Sequence, residues 1–272
     1  MGSAPTKVKY LTNKDLLEEI HKSKLTYCSF VDKVHGRYDF IVNDMSLITD
    51  KRIDDARQKR LADLIAQEKK LGSNGKDYQT SLTLDDTPVE SIVIRLMTYD
   101  HIPINPDKIG KAKTTAEKHI RCNFPPFQHF VMKDGHLTCV LKSHWQGGLE
   151  NGHFCRDHGR MTNNLAIMFM KLVERYGHRG NWRGYTYIEE MKSQALLQLS
   201  QVGLQFDESR SETPNPFAYY TQTITNSFMR ILNIEKKNQN IRDDILIMHG
   251  ATPSYTRMVD NELAQKTPPK DS

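Results

Sequence analysis

From Phe217 to Lys237 the chain runs 21 residues without a glycine or proline, directly after Pro216. Proline suits the first helical turn, where its missing N–H has no intrahelical partner to lose. The stretch therefore reads as one long helix. Two shorter helical patterns precede it. Met161 to Tyr176 places Leu165, Met168, Phe169, Leu172 and Val173 on one face, with Thr162 or Asn163 as cap. Tyr187 to Val202 turns Met191, Ala195, Leu196, Leu199 and Val202 inward. Three such helices predict a bundle over 161–245, followed by a tail over 246–272.

The first half has a different texture. Leu11 to Leu25 starts at Thr12 or Asn13 as N-cap and carries Leu16, Leu17, Ile20 and Leu25 as an apolar stripe. Lys51 to Leu71 is a second amphipathic helix, stopped at Gly72. Val89 to Tyr99 is β-branched and apolar, which favours a strand. Phe127 to Leu141 alternates around Asp134-Gly135, the residue pair of a type I′ hairpin turn. The expected fold is thus mainly α: an N-terminal helix (1–25) associated with the C-terminal three-helix bundle, and an α+β domain (26–160) inserted between them.

Composition narrows the class. Of 272 residues 38% are hydrophobic and 26% charged, and no apolar run of 18 residues occurs, so no membrane contact is expected. Four cysteines and no apolar leader point to a reducing compartment. The net charge of +5 permits a nucleic-acid partner. It is spread as +4 up to Arg160 and +1 beyond, so only local charge is informative. Asn226 to Arg242 holds four basic residues, one acid and several amides. Cations with amides suit phosphates and base edges, while the plainer alternative is a solvated helix end.

Catalytic motifs are lacking: no GxxxxGK[ST], GxSxG or HExxH occurs, and no enzyme activity or cofactor is expected. Tyr99-Asp100-His101 stands at a strand end, where polar residues are ordinary. His119-Ile-Arg-Cys122 and Cys155-Arg-Asp-His158 have two-residue spacers that let two ligands reach one tetrahedral zinc, or are ordinary core and surface residues. The long helix offers more. Tyr219, Thr223, Asn226, Ser227, Arg230 and Asn233 step by three or four and share a polar face. Hydroxyls, amides and a guanidinium can read base edges, and aromatics at the helix start can stack an unpaired base.

Residues 163–240 resemble region 2 of bacterial sigma factors. The order of parts matches: an apolar helix ending in Tyr176, an Arg-Gly loop, a second helix, the Phe206-Asp207 stop, and a Phe-x-x-Tyr start (Phe217, Tyr220) to the third helix. The pattern is most similar to the late-transcription sigma factors of T-even-type bacteriophages. These share the Asn215-Pro216-x-Ala218-Tyr219 start and the KxxYxxNKxLL-like segment at Lys7 to Leu17. The resemblance implies a transcription-initiation factor acting in the host bacterial cytoplasm. It would bind the clamp helices of the RNA polymerase core through Glu190, Ser193, Gln194, Leu196 and Ser200. It would direct that enzyme to an A·T-rich −10 element of promoter DNA. Phe217 and Tyr220 would hold a flipped base, Ser227 and Arg230 would face upstream base pairs, and Lys236 and Lys237 would hold phosphates. Unstacking a base costs a few kcal/mol, offset by about 1–3 kcal/mol per stacked base.

Departures from the pattern are equally definite. Thr223-Ile224 replaces the tryptophan pair of primary sigma factors, and only Glu190 keeps the acidic character of the docking helix. No second helix-turn-helix for a −35 element is expected in the residues that follow. The resemblance leaves room for a phage co-activator and a sliding clamp as partners, with Tyr255 to Leu263 as the nearest counterpart of a clamp-binding segment. The alternative is a scaffolding helical module with no role in DNA melting.

Overall fold

The computed structural model describes residues 11–71, 81–144 and 159–266. These fall into two compact units. One takes the chain through Met168 together with Val202–Phe217; the other takes Phe169–Gln201 and the chain from Ala218 on. The sequence suggested boundaries at 25, 160 and 245. In the structure the segment between the second and third bundle helices folds instead with the N-terminal half.

The first unit is built on a five-stranded mixed sheet: β1 (Cys28–Phe30), β2 (Phe40–Val42), β3 (Val93–Met97), β4 (Phe127–Lys133) and β5 (His136–Ser143), in the order β1-β5-β4-β3-β2. All neighbours are antiparallel except β2 and β3. The hairpin joins β4 and β5 as expected. Asp134 and Gly135 both take positive φ, 49° and 76°, as the tight turn requires. The expected strand over 89–99 shortens to β3, because Val89–Ser91 forms a 3-10 turn. The short edge strands β1 and β2 were not legible: three residues are too few for an alternation to register.

The strand period of two separates the sheet's faces. Ile94, Leu96 and Phe130 face one way and pack with Val42, Ile53, Ala56 and Ile92, covered by helix α2 (Asp50–Leu71). Arg95 and His129 belong to the other set, and both are fully buried. There helix α1 (Asn13–Leu25) contributes His21 and Lys24, and the Val202–Phe217 segment contributes Glu208. Thr12 caps α1 in a reciprocal box with Asp15. A four-residue helix, α3 (Thr115–Lys118), precedes β4.

Lys24 Nζ donates to both Glu208 carboxylate oxygens at 2.9 Å and to the Phe206 carbonyl at 2.7 Å. Arg95 lies 3.7 Å from the same carboxylate and is stacked between the Tyr38 and Phe127 rings, 3.9 and 3.8 Å from their centroids. Its Nε donates to His129 Nε2 at 2.9 Å. His129 Nδ1 in turn donates to the His35 carbonyl. Two buried cations thus share one buried carboxylate, with ring faces covering the guanidinium.

The second unit is helical. The helix Asn163–Gly177 (α4) enters it at Phe169; α5 (Ile188–Val202), α6 (Pro216–Met248) and α7 (Tyr255–Lys266) follow. Phe169, Leu172, Val173, Met191, Ala195 and Leu199 are buried, as their spacing predicts. Leu196 and Val202, also expected inward, are only half-buried. Phe228 sits edge-on to Tyr176 and Trp182, with centroids 5.0 and 5.2 Å apart. Tyr176 Oη donates to Thr225 Oγ1. α6 runs eleven residues beyond the expected end at Lys237 (Met248 against Lys237), because nothing before Gly250 interrupts it. Asp243 accepts from Ser254 N and Oγ at 2.9 and 2.6 Å, which ties the start of α7 to α6. Among the described residues no helix is long and apolar enough to cross a membrane.

Candidate nucleic-acid interface

Residues of α6 divide by helical period into two sides. Tyr220, Ile224, Ser227, Phe228, Ile231 and Leu232 are buried. Asn226, Met229, Arg230, Asn233, Ile234 and Lys237 are exposed and line one shallow depression of about 540 Å³ along the helix. Lys236 is exposed as well. A single solvent-facing stripe therefore carries two amides and two cations at helical spacing, which suits phosphate and base-edge contacts. Gln222 Nε2 donates to Asn226 Oδ1 at 2.8 Å, one turn away on the same side.

Two sequence-predicted contacts are corrected here. Tyr220 is fully buried, its ring edge-on to Phe169 with centroids 4.7 Å apart, so it is a core residue and presents no face to an extruded base. Ser227 is also buried; its hydroxyl donates to the Thr223 carbonyl at 3.0 Å. That bond satisfies the hydroxyl inside the helix and lets a polar residue occupy the apolar side. Thr223 is half-buried and donates to the Tyr219 carbonyl in the same way. Phe217 is 36% exposed, and its backbone N–H donates to Asn13 Oδ1 at 3.1 Å. Tyr219 is half-buried. Of the aromatics at the helix start, these two present surface.

Met229 and Ile234, 42% and 44% exposed, were missed by reading polar residues only. Their signal was present in the spacing: Met229 and Ile234 flank Arg230 and Asn233 on the solvent side. Apolar atoms there can meet a thymine methyl or a sugar.

On α5, Glu190, Ser193 and Ser200 are exposed, and Gln194 and Leu196 half-buried. Leu197, 52% exposed, joins Glu190, Ser193 and Ser200 at helical spacing, an apolar residue that a reading of polar positions does not single out. Beside it, Lys192 bridges Glu174 and Glu189 at 3.1 and 2.9 Å, and His178 adds a contact to Glu174. Hydrogen bonds from Lys192, to Glu189 and Glu174, raise the lysine's proton affinity and lower that of Glu174. A groove of about 590 Å³ lined by Met170, Val173, Lys192, Ser193 and Leu196 runs between α4 and α5.

The two His–Cys pairs divide. His119 and Cys122 line one cleft of the first unit, where His119 Nδ1 is bonded to the Thr115 carbonyl. Cys155 and His158 lie outside the described residues. Among the described residues no cluster of three or more His, Cys, Asp or Glu side chains forms a metal cage. No family model matches this chain, and comparison with curated proteins and solved structures finds no match either.

Proposed function

We propose that the chain is a promoter-specificity factor of the phage late-sigma type. It would bind RNA polymerase core through the exposed stripe of α5 and present the exposed face of α6 to an A·T-rich −10 element. The observation that carries this reading is the composition of that α6 face: Asn226, Arg230, Asn233 and Lys237 in a row, with Met229 and Ile234 among them. A merely solvated helix tends to show Glu/Lys pairs at such positions. The polar residues lining this depression are amides and cations, which match acceptors on base edges and phosphates. The order of sequence motifs from Tyr176 to Tyr219 supports the same reading.

The burial of Tyr220 alters the mechanism expected from the sequence. The receiving surface for an extruded base falls to Tyr219, with Arg230, Asn233 and the two lysines holding the strand. A·T steps cost least to open, so stacking worth about 1–3 kcal/mol offsets much of the cost there. The test is run-off transcription by core polymerase on late-phage promoter DNA, with and without the protein, alongside capture of core on the immobilised chain. Specific transcripts that depend on the protein are expected. Failure to capture core would overturn the reading.

A further inference from the structure

A second basic cleft lies in the first unit, far along the sequence from α6. The segment 103–105 pairs with 118–120: Asn105 N donates to the Lys118 carbonyl at 2.8 Å and Ile120 N to the Pro103 carbonyl at 2.9 Å. This pairing brings the chain leading to Lys108 alongside the segment that carries His119 and Arg121. The segment after α5 adds Arg210. The resulting cleft has a volume of about 540 Å³, within the range of small-ligand sites. Lys108, Arg121 and Arg210 bring three positively charged side chains to its lining, with the Glu117 carboxylate among them and Asp207 paired to Arg210. The Glu117 carboxylate accepts from the Lys113 backbone N–H at 2.9 Å. Arg210 is held by Asp207 at 3.3 Å through Nε. On the same wall Tyr99 and His119 lie ring on ring, with centroids 5.2 Å apart and planes 32° apart.

We propose that this cleft binds a nucleoside phosphate unit, either as a free nucleotide or as one residue of an unpaired strand. Phosphate requires cations, and a nucleobase requires an aromatic face beside them; the lining of this one cleft carries both. A site for a bare anion would need no ring pair, and a site for an apolar ligand would not gather three cations. The inference goes beyond the reading of α6 and does not depend on it, since it needs no polymerase.

The test is binding of a fluorescein-labelled short oligo-dT to the full chain, with dTMP and inorganic phosphate as competitors. Arg121→Ala and Lys108→Ala should each weaken binding about tenfold and lower its salt dependence. Tyr99→Ala should weaken it by a similar factor, and Tyr99→Phe, which keeps the ring, should restore it. Competition by dTMP identifies the free nucleotide as a sufficient ligand; binding of the strand alone identifies the unpaired strand. Three results would overturn the proposal: affinity unchanged by Arg121→Ala and Tyr99→Ala; loss in Arg230→Ala, Lys237→Ala but not in the cleft variants; or inorganic phosphate competing as well as dTMP.

Discussion

Lys24 Nζ lies 2.9 Å from both carboxylate oxygens of Glu208, 184 residues away, and neither side chain reaches solvent. Arg95 shares the same carboxylate. Removing the one anion leaves two cations buried without a counter-charge. Glu208→Gln is therefore expected to destabilise the first unit by about 3–5 kcal/mol. Urea unfolding measures it; a loss under about 1 kcal/mol would show the pair is hydrated in solution.

The same cluster sets an acid limit. Burial and then the Arg95 charge hold His129 well below its ordinary value of 6.5. Burial lowers His21 as well, with Glu208 pulling the other way. For Glu208, burial acts upward, but the Lys24 charge, the His21 hydrogen bond and Arg95 outweigh it and hold the carboxyl far below 4.5. All three groups bind protons more readily in the unfolded chain. Stability is then fully present above about pH 6.5 and falls as acid is added, first through the histidines and then through Glu208. Thermal melts between pH 8 and pH 4 should show a falling Tm. A flat profile would contradict the neutral assignment of His129.

Tyr220 and Phe228 should behave as core residues. Either change to alanine opens a cavity and is expected to cost about 3–5 kcal/mol. For Phe228→Ala the emission of Trp182, 5.2 Å away, should shift as its surroundings loosen. If Tyr220→Ala leaves the melting curve in place and abolishes DNA opening alone, the packing described for Tyr220 is wrong.

If α6 meets promoter DNA as proposed, Lys237→Ala should weaken binding in the presence of polymerase core by a similar factor for every sequence, and lower the salt slope by about one. Arg230→Ala should instead relax discrimination at one base pair, by about 1–3 kcal/mol. Titration against matched and mismatched promoters separates the two. Identical behaviour of both variants would mean that Arg230 touches only phosphate.

Asn13 Oδ1 receives the Phe217 N–H at the first turn of α6. Asn13→Ala should remove up to about 1 kcal/mol and raise hydrogen exchange at the start of α6. Unchanged exchange at Phe217 would mean that solvent replaces the bond.

α1, α2, α4, α5, the start of α6 and the hairpin were legible because their signals are local; α3 and α7, the latter inside the expected tail over 246–272, were not. Thr12 stands as a cap just before the stripe of Leu16 and Ile20, Asp134-Gly135 occupies a turn that demands positive φ, and the stripe Phe169, Leu172, Val173 repeats with the helix. The exposed face of α6 was partly legible for the same reason, apart from Ser227, whose backbone bond makes a hydroxyl tolerable inside. What no local pattern could specify was the side on which a residue meets the rest of the chain. Tyr220 reads as an aromatic at a helix start, and only Phe169 packed against it makes it core. Arg95 reads as one charge in an apolar strand, and only Lys24, Glu208, Tyr38 and Phe127, brought from four separate segments, make it the centre of a buried cluster. Periodicity depends on neighbours a few residues away, whereas burial and ion pairing depend on groups that only folding brings together.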